Sequence, residues 1–511
     1  MKMRFNFLIY TAVASMLTFQ SCDKGFEEMN INPDASTTVQ PEYMFSKALL
    51  DAFGNSYFAT DVLACGGSMQ HFATYKDVPG IGDKYYFQQG TYPYDYFTTG
   101  YTTAVNEIGT TINALNPDVP ADVNKHAIAR IFRVYIMHRL TDLYGDIPYS
   151  AAVKGYTEND FTPAYDSQEA IYNDMLKELD EAAAKLNPAT ATFGAGDFIY
   201  SGDVTRWKKF AYSLMLRLGM RISKKSPAVA QTWVKKAIDG GVITTDADIA
   251  TMKYVDGSQA INRNPAAASM LSNDYAVANG NSNTEGGKLA QTFIDVLKTN
   301  KDPRLNVIAI VWNAGKADTS SALQKGMPNG LLNKPSDFTS YSEPNPATIL
   351  QYNAPFIIIS AAEVNLLLAE AAIAGWWEGN AATAFSNAIG ASMRNWSLFG
   401  SGGVIAPERI TAYQAAHPLT GSTEAMKAMI GQEKWVALFL DEQEIHANWR
   451  RTGYPALTPV NVAGNTTGGT IPRRLLYPPS EESVNSESLA EAIGRQGANL
   501  MTTRVWWDKN N

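Results

Sequence analysis

The chain has 511 residues, 45% of them hydrophobic and 11% aromatic, and its 50 acidic side chains outnumber 42 basic ones for a net charge of −8. That hydrophobic content excludes disorder as the main state, and the acidic balance excludes the basic surface that nucleic-acid binders present. The length suits one large domain or two to three ordinary ones, each with a core to bury.

Lys2 and Arg4 precede an apolar stretch, Phe7 to Phe19, of signal-peptide rather than membrane-spanning length. It leads into Gln20, Ser21 and Cys22. A small residue directly before a cysteine, just after an apolar run, resembles a bacterial lipoprotein cleavage site, here with Phe19 where Leu is usual. Residues 1–21 are expected to be removed as a signal peptide and Cys22 to carry lipid; an ordinary secretory peptide is the alternative. Cys65 is then the remaining thiol, so no internal disulfide is expected. Further on, the best apolar run, Phe356 to Trp377, is interrupted by Glu363, Asn365 and Glu370. The mature chain is expected to be anchored to a membrane, not threaded through it.

Helical periodicity recurs along the rest. From Ala127 to Tyr144, Ile128, Ile131, Phe132, Tyr135, Ile136, Leu140 and Leu143 fall at three- and four-residue steps, one buried helix face. Asp166-Ser167 start a second helix with Ile171, Met175, Leu176, Leu179 and Ala183 inward. Asp203 starts a third, through Trp207 and Leu214 to Ile222, ending before Pro227. A fourth spans Val229 to Ile238 and stops at Gly240-Gly241. Ala361–Ala374, ended by Gly375, and Ala381–Trp396 are joined by a short loop and are expected to pack antiparallel, with Ala369, Ala372, Ala382 and Ala388 allowing close approach. Glu424 to Trp449 reads as one last long helix. The fold class expected is mainly α, built from degenerate tetratricopeptide-like helix hairpins without a clean consensus period.

Two long stretches, Gly66–Tyr101 and Asp246–Tyr352, break the helical pattern and read as irregular. The first carries His71, Phe72, Tyr75, Tyr85, Tyr86, Phe87, Tyr92, Tyr94, Tyr96, Phe97 and Tyr101; the second is rich in Asn, Gly, Ser and Pro and holds Trp312 and Tyr341. Sugars are strongly hydrated, so a protein captures them by laying their flat C–H faces on aromatic rings, with a few polar groups fixing orientation. Most of these rings are expected to fold inward under the loop. Tyr75, Tyr85 and Tyr86 flank polar or glycine residues and are the first candidates for exposed, ligand-binding rings, followed by Trp312, Tyr341 and Trp396.

Motifs for catalysis fail. There is no Gly-x-Ser-x-Gly and no HExxH, and His71, His126, His138, His417 and His446 make no i, i+4 metal pair. Gly286-Gly287-Lys288 lacks the first glycine and the final Ser or Thr of a phosphate loop, and Asp246-Ala247-Asp248 fails as a calcium loop at Ala250. Glu363 and Glu370 share a helix face and read as a solvated stripe; Asp441, Glu442 and Glu444 beside Arg450 and Arg451 read as an ion-pair network. No catalytic residue, metal or cofactor is expected. A glycosidase's carboxylate pair is defined in space and leaves no sequence spacing, so a glycan-processing enzyme stays as an alternative.

Asp142-Leu143-Tyr144-Gly145-Asp146-Ile147-Pro148-Tyr149 followed by Phe161-Thr162-Pro163-Ala164-Tyr165-Asp166, then Asp203 to Trp207, Asp302-Pro303-Arg304, the helices Ala361–Ala371 and Glu433–Arg451, and Arg474-Leu475-Leu476-Tyr477-Pro478 with Glu481 and Asn485 stand in one order behind a lipoprotein signal. In this order they resemble the SusD/RagB family of nutrient-binding outer-membrane lipoproteins of the Bacteroidetes, over nearly all of residues 22–511. Asn30-Ile31-Asn32-Pro33-Asp34 is similar to the N-terminal stretch of one subgroup, and Asp23, Glu27 and Glu28 resemble a surface-export signal. The resemblance implies one SusD-like domain with four helix hairpins supporting a loop-rich ligand face. It also implies a place on the outer membrane facing the exterior, an oligosaccharide or, alternatively, a peptide ligand, and a SusC-like TonB-dependent barrel as partner.

Overall fold

The computed structural model describes residues 40–76, 81–86, 92–277 and 280–509, apart from the side chains of 156–157. Residues 1–21, Cys22, the segment Asp23–Asp34 and Phe87 lie outside the described residues. From Pro41 on the chain belongs to one compact unit. The helices of ten residues or more are α1 (Pro41–Gly54), α2 (Val123–Tyr144), α3 (Gln168–Lys185), α4 (Val204–Arg221), α5 (Pro227–Gly240), α6 (Ala361–Ile373), α7 (Ala381–Asn395), α8 (Pro407–Ala416), α9 (Thr423–Ala437), α10 (Glu442–Thr452) and α11 (Ser486–Gln496). Among the described residues, no helix is long and apolar enough to cross a membrane.

Helix starts follow the capping chemistry. Ser167 Oγ accepts the Ala170 N–H at 3.3 Å, and Asp203 Oδ1 accepts the N–H groups of Thr205 and Arg206 at 2.9 and 3.1 Å. Ser360, Asn380, Ser422 and Asp441 cap α6, α7, α9 and α10 in the same way. The fourth helix begins two residues earlier than its apolar pattern, because Pro227 opens it at a position that needs no N–H donor.

Among the described residues, successive helices pair as hairpins, α2 with α3, α4 with α5, α6 with α7, and α9 with α10; α3 also packs on α4, and α7 on α8. Fully buried Trp207 anchors α4, its indole N–H donating to Asp197 Oδ2 at 2.6 Å. Between α6 and α7, Ala369 and Ala388 are fully buried, whereas Ala382 is exposed and Ala384 takes the interface position instead. Leu367 is 2% exposed in the shared core. Leu367→Asp is expected to destabilise the fold by about 3 kcal/mol or more, since an unpaired charge would have to be buried. Near-parent thermal stability of that variant would show that this face is not packed.

The single helix expected over Glu424–Trp449 is two. The chain turns at Leu438–Asp441, where Leu440 takes φ of 84° and Asp441 starts a new helix as its cap. The break lets α10 fold back on α9 and carry its charges into the centre. There, Arg139 and Asp142 of α2, Arg217 and Arg221 of α4, Glu363 of α6, Lys434 of α9, Asp441 capping α10 and Glu444 within it meet, all buried. Arg217 pairs with Glu363 at 2.6 Å, Arg139 with Asp441 at 2.5 Å, Lys434 with Glu444 at 3.2 Å, and Arg221 with Glu444. The stripe of Glu363 and Glu370 is therefore not solvated: Glu363 is fully buried and Glu370 is paired with Arg451.

The stretch Asp246–Tyr352 is more ordered than its composition indicates. It contains helices Pro265–Ser272 and Gln291–Thr299 and the strands β2 (Ala250–Met252), β3 (Gly287–Leu289), β4 (Ala309–Asn313), β5 (Lys316–Asp318) and β6 (Glu343–Pro344). Strand β1 (Phe72–Thr74) pairs antiparallel with β3, β2 with β7 (Phe356–Ile359), and β4 lies between β5 and β6. The Leu289 N–H also donates to the Ser342 carbonyl at 3.0 Å, which links β3 to the start of β6. These short strands support the loops that carry the aromatic candidates.

Candidate ligand face

The loop after β1 is held against the body by backbone contact. At Gly82 an added Cβ would lie 2.2 Å from the carbonyl oxygens of Leu63 and Ala64, so only glycine fits. Next to it, buried Asp83 accepts from Asn329 Nδ2 at 2.6 Å and from the Gly330 N–H at 3.2 Å, joining residues 81–86 to the segment before β6. Gly330 in turn lies against Val460, in a loop between α10 and α11.

Tyr75 is half-buried, its ring edge-on to Phe338 at 5.3 Å and its hydroxyl donating to Glu285 Oε2 at 2.8 Å. Trp312, on β4, is also half-buried, and its indole N–H donates to Glu343 Oε2 at 3.0 Å. Glu343 is buried, and its other oxygen takes the Lys288 ammonium at 2.5 Å and the Asn283 N–H at 2.8 Å. Lys288, the residue of the failed phosphate loop, thus serves as a structural counter-ion and also lies 4.5 Å from the Phe338 ring. Tyr86 is half-buried, with its hydroxyl donating to the Ala463 carbonyl at 2.7 Å and its ring against Gly464.

Three of the six sequence candidates do not offer a ring to a ligand. Tyr85 is 1% exposed: its hydroxyl accepts the Val460 N–H at 3.1 Å and its carbonyl the Thr466 N–H at 3.0 Å, so it fastens the 458–466 loop from below. Tyr341 is buried in a small cluster with Ala73, Ala290, Met327 and Phe338, under the Lys325 ammonium 4.6 Å from its ring. Trp396 is buried in the main core against Phe399. Among the other rings of the first loop, His71, Phe72, Tyr96 and Phe97 are buried, and Tyr92, Tyr94 and Tyr101 are half-buried.

Tyr75 and Trp312 are held by one buried layer: Tyr75 packs on Phe338, Lys288 lies over the Phe338 ring and pairs with Glu343, and Glu343 accepts the Trp312 indole N–H. Leu331 packs on the same small cluster, and Gly330 beside it lies against Val460. The charges nearby are paired: Lys76 with Asp274 at 2.7 Å and Glu285 at 3.3 Å, Lys334 with Glu285 at 3.7 Å, and Lys325 with Asp337 at 2.6 Å. The arrangement offers rings and paired polar groups without a net field. Sequence reasoning missed Glu343, Glu285 and the whole 458–469 loop; the Asn, Thr and Gly run at 461–469 was the available signal for the last. Among the described residues no group of three or more His, Cys, Asp or Glu is arranged to hold a metal ion.

Helix hairpins that carry a loop-built face of half-buried rings define a binding scaffold of the tetratricopeptide-like class. The family model of SusD-like proteins, described as starch-binding and associating with the outer membrane, matches residues 33–478, and the chain belongs to that family. Among solved structures it is similar to a chitin-binding protein at 31% identity and a TM-score of 0.81, over 92% of this chain and 100% of that one. A chitin-binding SusD homologue from Flavobacterium johnsoniae matches at 25% identity and a TM-score of 0.76, over 92% and 99% of the two chains. A SusD homologue from Bacteroides thetaiotaomicron matches at 26% identity and 0.73, over 93% and 100%. No curated protein matches the chain in sequence.

Proposed function

We propose that this chain is a lipid-anchored outer-membrane protein, facing the exterior, that captures neutral oligosaccharides on the surface bearing Tyr75, Tyr86 and Trp312. It passes them to a SusC-like TonB-dependent barrel. The observation that carries the reading is the pairing of Trp312 with buried Glu343 amid lysines that are each matched by a carboxylate. Rings held in place favour stacking, and a surface without spare charge favours a neutral ligand. The chitin-binding protein and the chitin-binding homologue that share this fold support a glycan as the ligand class. The direct test is calorimetry of the mature chain against chitohexaose, maltohexaose and a set of short peptides. Saccharide binding with no peptide binding is expected; peptide binding alone would replace the reading with peptide capture.

Anchoring is tested separately. Cys22→Ala is expected to move the protein from the membrane fraction to the soluble one, because the lipid is the only hydrophobic anchor this reading provides. Unchanged membrane retention of the variant would refute lipidation at Cys22.

A further inference from the structure

A second concave site lies among the hairpins, built from none of the residues of the loop surface. It is a cavity of about 360 Å³ between the ends of α4 and α6 and the facing sides of α9 and α10. Ligand sites run from about 300 to 1,000 Å³, so this one has room for one or two sugar rings. Trp376, just past the end of α6, and Tyr454, just past α10, line it; both are half-buried.

Its polar lining is built, with Lys224, Lys427 and Arg451 beside Glu370 and Glu424. Arg451, 6% exposed, makes a two-pronged pair with Glu370, its Nη2 donating to Oε2 at 2.7 Å, and the same Nη2 donates to Asn448 Oδ1 at 3.0 Å. Burial pushes the Glu370 carboxyl up, but Arg451 outweighs it and holds the group below its usual range. Glu370 is therefore an acceptor at neutral pH, and each of its oxygens retains a lone pair beyond the one given to Arg451. At the rim, Glu424 accepts the Tyr454 hydroxyl at 2.6 Å and sits 3.8 Å from Lys427.

We infer that this cavity is a second saccharide site, taking one or two rings of a neutral sugar with its C–H face on Trp376 and adjacent hydroxyls on Glu370 and Asn448. The chemistry favours a polyol over a cation, because both carboxylates in the wall have cationic partners, Glu370 in Arg451 and Glu424 in Lys427, while sugar hydroxyls both donate to the remaining carboxylate lone pairs and accept from lysine ammonium groups. This rests on the saccharide-capture reading above and adds a second place of binding to it.

The test uses the mature chain and two short probes, maltose and chitobiose, followed by calorimetry and by tryptophan fluorescence. Two sites per chain are expected for at least one probe. In a Trp312→Ala background the remaining site should weaken by about tenfold or more when Trp376→Ala is added, as expected for loss of a stacked ring plus its buried area. Trp376→Phe should restore most of it. Trp376 packs on the core, so Ala374→Arg provides an independent check: Ala374 is exposed and lines the cavity, and a long side chain there should block the site without disturbing the fold. One site per chain, lost with Trp312→Ala and indifferent to Trp376→Ala and Ala374→Arg, overturns the inference and leaves the loop-surface reading intact. A parent chain that binds neither these probes nor the longer saccharides refutes both.

Discussion

Glu444→Gln is expected to destabilise the protein by about 3–5 kcal/mol, the range for removing one partner from a buried ion pair. Glu444 is 1% exposed and faces three cations: Arg221, Lys434 at 3.2 Å and Arg217 at 3.8 Å. In the central cluster Arg139, Arg217, Arg221 and Lys434 are balanced by Asp142, Glu363, Asp441 and Glu444, so neutralising one carboxylate leaves a positive charge with no route to water. Glutamine keeps the shape and can still accept hydrogen bonds, which isolates the charge as the cause. The pH dependence gives a second signature. Burial raises the Glu444 pKa, but Arg221, Lys434 and Arg217 together pull it well below the ordinary carboxylate value. A carboxylate whose folded pKa is depressed contributes its full stability above its unfolded pKa, near 4.5, and loses it as pH falls through the folded value. The difference between parent and Glu444→Gln in chemical denaturation should therefore stay constant from about pH 5 to 8 and narrow only below about 4.5. A difference under about 1 kcal/mol, or one that shrinks already near neutrality, would mean the cluster does not hold the hairpins together.

This cluster also marks where the sequence stopped being legible. The hairpins were readable because their apolar residues recur at helical spacing and their caps are chemically explicit, as at Ser167 and Asp203. The same logic reads Asp441 and Glu444 as ion-paired, which they are, though with Arg139, Arg221 and Lys434, and misreads the Glu363 and Glu370 stripe as solvated. A Glu on the polar side of a helix normally meets solvent, and nothing in the local pattern around Glu363 shows that Arg217, distant in sequence, occupies that side. The turn at Leu440 was hidden for a related reason: Leu438, Phe439 and Ile445 keep the apolar spacing through it, so only the Asp441 cap distinguishes two helices from one. On the candidate face, composition marked two aromatic-bearing stretches but could not sort their rings into buried and half-buried. Tyr85 and Tyr86 are neighbours in sequence, yet Tyr85, with φ of 60°, turns beneath the 458–466 loop while Tyr86 lies at its edge. Trp312 depends on Glu343, a residue that in sequence is merely the start of a two-residue strand.

Trp312→Ala is expected to weaken capture of a neutral oligosaccharide on the loop surface by about tenfold or more. A stacked ring contributes about 0.5–1.5 kcal/mol beyond its buried area, and the area itself adds to this, against about 1.4 kcal/mol per decade of affinity. Trp312 is the ring best prepared for the task. Its indole N–H is fixed on Glu343 at 3.0 Å, and Glu343 is itself held by Lys288 at 2.5 Å, so little rotamer freedom is lost when a sugar settles on the ring. Tyr75→Ala and Tyr86→Ala should lose less, since each hydroxyl anchors a side chain at the edge of the surface and not on a buried carboxylate. Tyr85→Ala should act differently: it removes the anchor under the 458–466 loop, and its effect should appear first as lower thermal stability. Trp312→Phe should retain most of the affinity, because it keeps a stacking face while giving up the indole hydrogen bond. Between low and high salt the parent's affinity should change little, since stacking is not screened as ion pairs are and the lysines here already have partners. Circular dichroism is needed to show that each variant folds. If folded Trp312→Ala binds like the parent, the ligand sits elsewhere. If added salt abolishes the parent's binding, the ligand carries charge, and the pairing of lysines across this surface has been misjudged as neutral.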